Sequence, residues 1–192
     1  MSQTARQSMW TWDAYLEWEP RQSVRYELVN GEVYAMTGGT MAHDVIGNNL
    51  RSMLLGQLRG KPCRLQGPDA KVKAGENGRY PDALIDCGRF NPNALFASEP
   101  VAVFEVLSKT TELFDQNQKL DDYDAVPSIR FYVLISQIEP KALIYQRDQH
   151  GRFGPTGKKV VQGSASIDLA GIAIALPLAG LYDGIDFASF DA

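Results

Sequence analysis

Two short apolar runs in this chain each carry a carboxylate, and a polar stretch just beyond them carries an amine. Pro81-Asp82 leads the run Ala83-Leu84-Ile85-Asp86-Cys87, and Glu105 interrupts Val103-Phe104-Glu105-Val106-Leu107-Ser108. Apolar runs bounded by turn-formers suit central strands covered on both faces. An unpaired ionised group in such a place loses several kcal/mol of solvation. Two acids on two neighbouring strands therefore call for a cation between them. Magnesium prefers oxygen ligands and is held by one or two carboxylates plus waters and substrate oxygens, so Asp82 and Glu105 meet its minimum. A bound divalent ion can activate a water and stabilise charge at a phosphate, which are the two requirements of phosphodiester hydrolysis.

Lys119 supplies the amine. Near a metal it can hold the attacking water and offset developing charge. It also lies four residues after Asp115, so the plain alternative is a surface ion pair worth about 0.3 to 0.5 kcal/mol. Tyr123, one further turn along, shares that face and can pack or donate a hydrogen bond. His43 falls in the first turn of a predicted helix, where the N-terminal dipole disfavours an imidazolium. It is expected to be neutral, orienting a water or touching a phosphate, unless it is simply a surface histidine. Asp86 shares the strand face of Asp82 and reads as structural.

The elements that must position these groups follow in order. Thr11 can cap a short amphipathic helix through Trp18, closed by Pro20, forming a lid over one edge of the core. Val24–Val29 and Glu32–Met36 alternate around Asn30-Gly31, a strong hairpin signal. Glu27 and Glu32 become near cross-strand partners there, either solvated edge residues or, for Glu27, an accessory acid. Gly38-Gly39 breaks the pattern, and Thr40 can cap a helix from about Met41 to Leu58. Pro62 to Pro68 reads as a strand, Ala70–Lys73 follows, and Gly75 to Gly78 reads as a polar turn. Thr110 or Thr111 can cap the helix carrying Lys119, which ends before Pro127. Phe131–Ile135 is a doubly buried strand with Ala142–Tyr145 as its antiparallel neighbour. Lys158–Val161 and Ala173–Leu176 are candidate edge strands before an apolar closing segment, Leu178 to Phe187.

At 192 residues, with 44% apolar and 22% charged residues, the chain suits one globular domain, residues 1–192. Residues 1–20 form the N-terminal lid and about 150–192 the closing segment. The net charge of -4 gives no general attraction to polyanions, so a nucleic-acid contact needs a local basic patch. Cys63 and Cys87 have no metal-binding spacing and read as separate small core residues in a reducing compartment. With no secretory signal and no membrane-length apolar run, a cytoplasmic location is expected.

Taken as an ordered set, Tyr26-Glu27-Leu28-Val29-Asn30-Gly31-Glu32-Val33, His43, Pro81-Asp82, Glu105-Val106-Leu107-Ser108, Asp115, Lys119, Tyr123, Pro127-Ser128 and Tyr132-Val133-Leu134 resemble the Uma-two family of restriction endonucleases, in the PD-(D/E)XK nuclease superfamily. The resemblance runs from about Thr11 to Tyr145. It implies an α/β (α+β) restriction-endonuclease-like fold: a central mixed β-sheet flanked by helices, with an N-terminal β-hairpin. It also implies Asp82 and Glu105 as ligands of Mg2+ or Mn2+, and DNA as substrate. The superfamily pattern places a lysine two residues after the second acid, where this chain has Leu107. Lys119 resembles the relocated lysine of the family. The superfamily's acid on the first long helix is also missing, and His43 or Glu27 stands in.

The expected activity is thus metal-dependent DNA hydrolysis, with Asp82 and Glu105 binding the ion and Lys119 positioning the nucleophile. The rival is a catalytically silent nuclease-like fold acting as a binding or assembly module, favoured by the acidic balance and the absence of an evident basic stripe. A small-molecule hydrolase has no nucleophile elbow, zinc helix or phosphate loop behind it. A homodimer would suit cutting of both strands, with Trp10, Trp12 and Trp18 as a candidate partner surface.

Overall fold

The computed structural model describes residues 9–107, 112–154 and 157–191. Helix α1, Trp12–Trp18, is capped by Thr11, whose Oγ1 accepts from the Ala14 amide at 3.3 Å, and a 3-10 turn through Pro20 closes it. Strands β1, Tyr26–Val29, and β2, Glu32–Ala35, form the hairpin expected from Asn30-Gly31. Both turn residues take positive φ, 51° and 80°, as a two-residue turn of this hand requires. Glu27 lies opposite Tyr34, not Glu32, and the two glutamates point to the same face two residues apart in register.

Helix α2, Met41–Leu58, is capped by Thr40 and buries Ile46, Leu50, Leu54 and Leu58 at helical spacing. Strands β3, Arg64–Gln66, β4, Val72–Ala74, β5, Asn77–Arg79, β6, Ala83–Asp86, and β7, Pro100–Leu107, come next. Helix α3, Glu112–Asp124, leads to β8, Phe131–Ser136, then β9, Lys141–Gln146, β10, Lys158–Gln162, β11, Ser166–Leu169, β12, Ile174–Pro177, and a last short helix α4, Leu178–Leu181. The expected caps Thr110 and Thr111 lie outside the described residues.

The central sheet has six strands in the order β10-β9-β8-β7-β6-β3. It is mixed: β7 and β8 run parallel, joined by α3 as a crossover, and the other neighbours are antiparallel. One face packs on α2, the β11–β12 pair and α4 through Ile85, Phe104, Val106, Val133 and Ile135. The opposite face, with Leu84, Val103, Leu107, Tyr132 and Leu134, packs on Tyr123 and Leu120 of α3 and on Val72 of β4. Both faces are covered, which is why β7 and β8 read as nearly continuous apolar runs.

Four expectations need correction. The polar stretch after Gly75 is not only a turn: β5 pairs with β4 and β1, so the hairpin becomes half of a four-stranded side sheet, β2-β1-β5-β4. Gly78 is needed there, since a Cβ would lie 2.9 Å from both the Trp12 and Tyr15 rings. The tryptophans are not a free partner surface either. Trp12 is buried, and Trp10 and Trp18 pack at a tilt, ring centroids 4.8 Å apart, against the side sheet beside Tyr26. The segment around Ala173–Leu176 is not an edge of the central sheet, because β12 pairs only with β11. Finally, Cys63 and Cys87 are joined as a disulfide, with S–S 1.98 Å. Arg64 pairs with Asp86, so antiparallel register sets the two cysteines directly across from one another. The case for a reducing compartment rested on their being separate, and it loses that support.

Candidate active site

Register brings the two acids together. Ala83 lies opposite Phe104, which sets Asp82 opposite Glu105 on the face covered by α3. Helix α3 crosses that face with Lys119 and Tyr123 one turn apart. Lys119 Nζ lies 3.0 Å from Glu105 Oε1, and the Tyr123 hydroxyl donates to the same oxygen at 2.8 Å. An amine therefore reaches Glu105 from the helix, and Lys119 is buried there instead of lying on the surface. The Asp115 side chain lies outside the described residues.

Glu105 is only 6% exposed. Burial pushes its carboxyl up to about 7, Lys119 draws it back down, and the charges of Asp82 and Glu27 raise it again. Tyr123 is fully buried, and burial followed by the Glu105 charge holds its phenol well above the ordinary value, so it remains a neutral donor.

Asp82 Oδ2 accepts from the Val106 amide at 2.7 Å and lies 3.3 Å from His43 Nε2. The hydrogen bond to Asp82 raises the His43 pKa, and burial only partly opposes it, so the pull on this imidazole is opposite to that expected from the helix end alone. A discrete carboxylate in contact outweighs the partial charge of a helix end. Gly39 permits the approach, since a Cβ there would lie 2.9 Å from His43 Nδ1. The Thr40 hydroxyl, besides capping α2, donates to Gln137 Oε1 at 2.8 Å and ties this helix end to the end of β8.

Glu27 is not a solvated edge residue. Its Oε1 accepts from the Tyr80 amide at 2.9 Å and lies 3.9 Å from Lys119 Nζ, while Oε2 accepts from Arg79 Nη1 at 2.9 Å. Arg79 also donates through Nε to Asp122 of α3 at 2.7 Å. Sequence reasoning missed Arg79 and Asp122, because a lone arginine after a polar turn and one acid in an acidic helix carry no distinguishing pattern. Asp86 is structural as expected: its Oδ1 accepts from the Gly88 and Glu99 amides at 3.0 and 2.9 Å.

Glu27, His43, Asp82, Glu105 and Lys119 line one open cavity of about 900 Å³, walled by the hairpin on one side and the N-terminus of α2 on the other. Among the described residues no group of three His, Cys, Asp or Glu side chains could hold a metal by itself. Asp82 and Glu105, across from one another at this cavity, are the two acids that could hold a cation there. Two carboxylates, with the remaining positions left to water and substrate, would suit magnesium or manganese better than zinc or calcium.

A mixed sheet with this helix crossover and acids paired across two of its inner strands defines the restriction-endonuclease-like class of fold. A solved structure described as a putative nuclease belonging to DUF820, from Anabaena variabilis, matches it with a TM-score of 0.73 at 17% identity, covering 90% of this chain and 97% of that one. The chain belongs to the Uma2 family, whose model, described as "Putative restriction endonuclease", matches residues 12–176. Two Synechocystis proteins are similar: uncharacterized protein slr1290, 29% identical over 91% of this chain and 92% of its own length, and uncharacterized protein sll1609, 27% identical over 69% and 78%. Among the described residues no helix is long and apolar enough to cross a membrane.

Proposed function

We propose that this chain is a divalent-metal-dependent endonuclease that hydrolyses phosphodiester bonds of DNA. The observation that carries the reading is the meeting of Lys119 with Glu105 at 3.0 Å beside Asp82, in one open cavity. Burial of an acid and an amine together costs more than an apolar pair of the same volume, so their retention at an accessible pocket supports chemistry over stability.

Asp82 and Glu105 would hold Mg2+ or Mn2+. When bound, such an ion neutralises charge on the phosphate and lowers the pKa of a coordinated water. The protein's own groups do the rest. Tyr123 fixes the Glu105 carboxylate by donating to Oε1. Lys119, held between Glu105 and Glu27, presents its ammonium where an attacking water and the developing phosphorane charge would sit. His43, paired with Asp82, holds that carboxylate beside the N-terminus of α2 at the cavity.

The test is plasmid cleavage by purified protein with manganese or magnesium, run beside Asp82→Ala. The expected result is nicking by the wild type and none by the variant. Absence of cleavage across plasmid, linear and single-stranded forms, with no metal affinity by calorimetry, would favour the silent binding module instead.

A further inference from the structure

A second cavity, of about 440 Å³, opens at the other end of β6, beyond the edge strand β3. Arg64, Arg89, Phe90, Leu95 and Phe96 line it. Phe90 is 63% exposed, and the Arg64 guanidinium lies 5.3 Å from its ring centroid. The Nε of Arg64 is buried and has no hydrogen-bond partner. The acids nearby are already engaged: Asp86 by two backbone amides and Gln66, Asp69 by Arg25 at 2.7 Å. The cavity thus sets exposed aromatic rings beside two guanidinium groups, while its two acids are turned to other partners.

The loop that presents Phe90 is rigidly built. The disulfide to Cys63 anchors Cys87, Asp86 ties the Gly88 and Glu99 amides at the two ends of the loop, and Arg64 donates to the Gly88 carbonyl. Gly88 lets the two ends of the loop approach closely, since a Cβ there would fall 2.1 Å from Ser98 Oγ and 3.0 Å from the Glu99 amide nitrogen. Phe90 is not a lone exposed ring: Leu95 and Phe96 on the same cavity are exposed as well, beside Arg64 and Arg89, and an apolar patch rimmed by charge marks a binding surface. Arg51 of α2 lies between the two cavities. Its Nη1 donates to the Asp82 carbonyl at 3.4 Å, and its aliphatic stem passes Gly67, which lines the second cavity. Asp82 and Asp86 sit on one face of β6, roughly 13 Å apart at strand rise.

We propose that this cavity is a subsite for one unpaired nucleotide of a nucleic-acid strand that continues into the candidate active site, its base stacked on Phe90 and its phosphate held by Arg64 and Arg89. The proposal rests on the nuclease reading for the direction of the strand but not for its binding. An aromatic platform beside arginines is sequence-tolerant and reaches only a base that has left its duplex stack. The substrate class is accordingly single-stranded or frayed nucleic acid, in preference to an intact duplex.

The test is fluorescence anisotropy in EDTA, where nothing is cut, with labelled oligothymidine and oligouridine of about 12 nucleotides and a blunt duplex of equal length. The wild type is expected to bind the single strands about tenfold tighter than the duplex. Phe90→Ala should lose about tenfold for single strands and Phe90→Trp should retain them, with its added indole quenched by the stacked base. Arg89→Ala should lower the salt slope by about one. The two strands separate DNA from RNA. No single-strand binding, equal binding by wild type and F90A, or equal losses for strand and duplex would each overturn the subsite. Cleavage of plasmid with F90A binding unchanged leaves the nuclease and removes the subsite. Phe90-dependent binding without cleavage in any metal keeps the subsite and removes the hydrolytic reading.

Discussion

Lys119 and Glu105 approach to 3.0 Å although one lies on a helix and the other on a central strand, with residues 108–111 between those elements. The helix returns its amine to the strand that precedes it, so the charge meets the acid from above the sheet instead of from along the same strand. This arrangement predicts that Lys119→Met, which keeps the aliphatic stem, will fold. Metal-dependent plasmid cleavage should then fall by about 10² to 10³, the loss typical of one positioned electrostatic group. Nicking rates at saturating manganese check it, and wild-type rates in the variant would remove Lys119 from the mechanism.

Glu105 gives the protein a pH signature. Its folded pKa of about 7 lies above the ordinary 4.5, so between these values the folded state binds the proton more tightly than the unfolded one. Stability from this group is complete below about pH 4.5, falls as pH rises to about 7, and is level above. The raised His43 value acts in the same direction, its contribution being lost as pH rises through and beyond 6.5. Glu105→Gln should flatten the Glu105 part of the fall, an upper bound of about 3 kcal/mol across the window. Melting temperatures in EDTA from pH 5 to 8, compared between wild type and E105Q, test this. Parallel curves would show that Glu105 has an ordinary carboxyl.

Much of the scaffold was legible because its signals are local. Asn30-Gly31 demands its turn, Thr40 its helix, and the apolar runs around Glu105 and Phe131 their place in the sheet. Asp82, Glu105 and Lys119 stood out because each is an expensive residue in its setting or falls at a suggestive spacing. What escaped depends on contacts distant in sequence. Strand β5 is short, and its Gly78 is dictated by two rings on α1 that no pattern around it announces. Glu27 looked like an edge glutamate, since the arginine that covers it comes 52 residues later. The contact of His43 with Asp82 escaped because the helix end is visible in sequence and the facing carboxylate is not.

The disulfide makes its own prediction. Cys63 and Cys87 close a loop 24 residues apart and join β3 to β6 at the sheet edge. Loop entropy for a span of this size is worth roughly 3 kcal/mol. Purified wild type should resist alkylation by iodoacetamide until reduced, then take two adducts by mass spectrometry, and Cys63→Ser/Cys87→Ser should melt several degrees lower. Two adducts without reductant would show the bond to be absent.

Arg79 ties the site together from behind. It is 4% exposed and bridges Glu27 of β1 to Asp122 of α3, while Asn77 donates to the other oxygen of Asp122 at 2.7 Å. The side sheet and the helix that carries Lys119 are thus pinned to one guanidinium. Replacing it strands two carboxylates at low exposure, and breaking a buried pair by removing one partner costs about 3 to 5 kcal/mol. Arg79→Met should therefore be the most destabilising of the charge substitutions. Arg79→Lys should recover only part, because one ammonium cannot make both forks. Asp122→Asn keeps the shape and leaves Arg79 with Glu27 alone, so its cost should be smaller and non-additive with R79M. Urea denaturation of R79M, D122N and the double variant yields the coupling energy directly. Strict additivity would mean that the two residues are neighbours without being partners, and that some other contact holds α3 over Glu105.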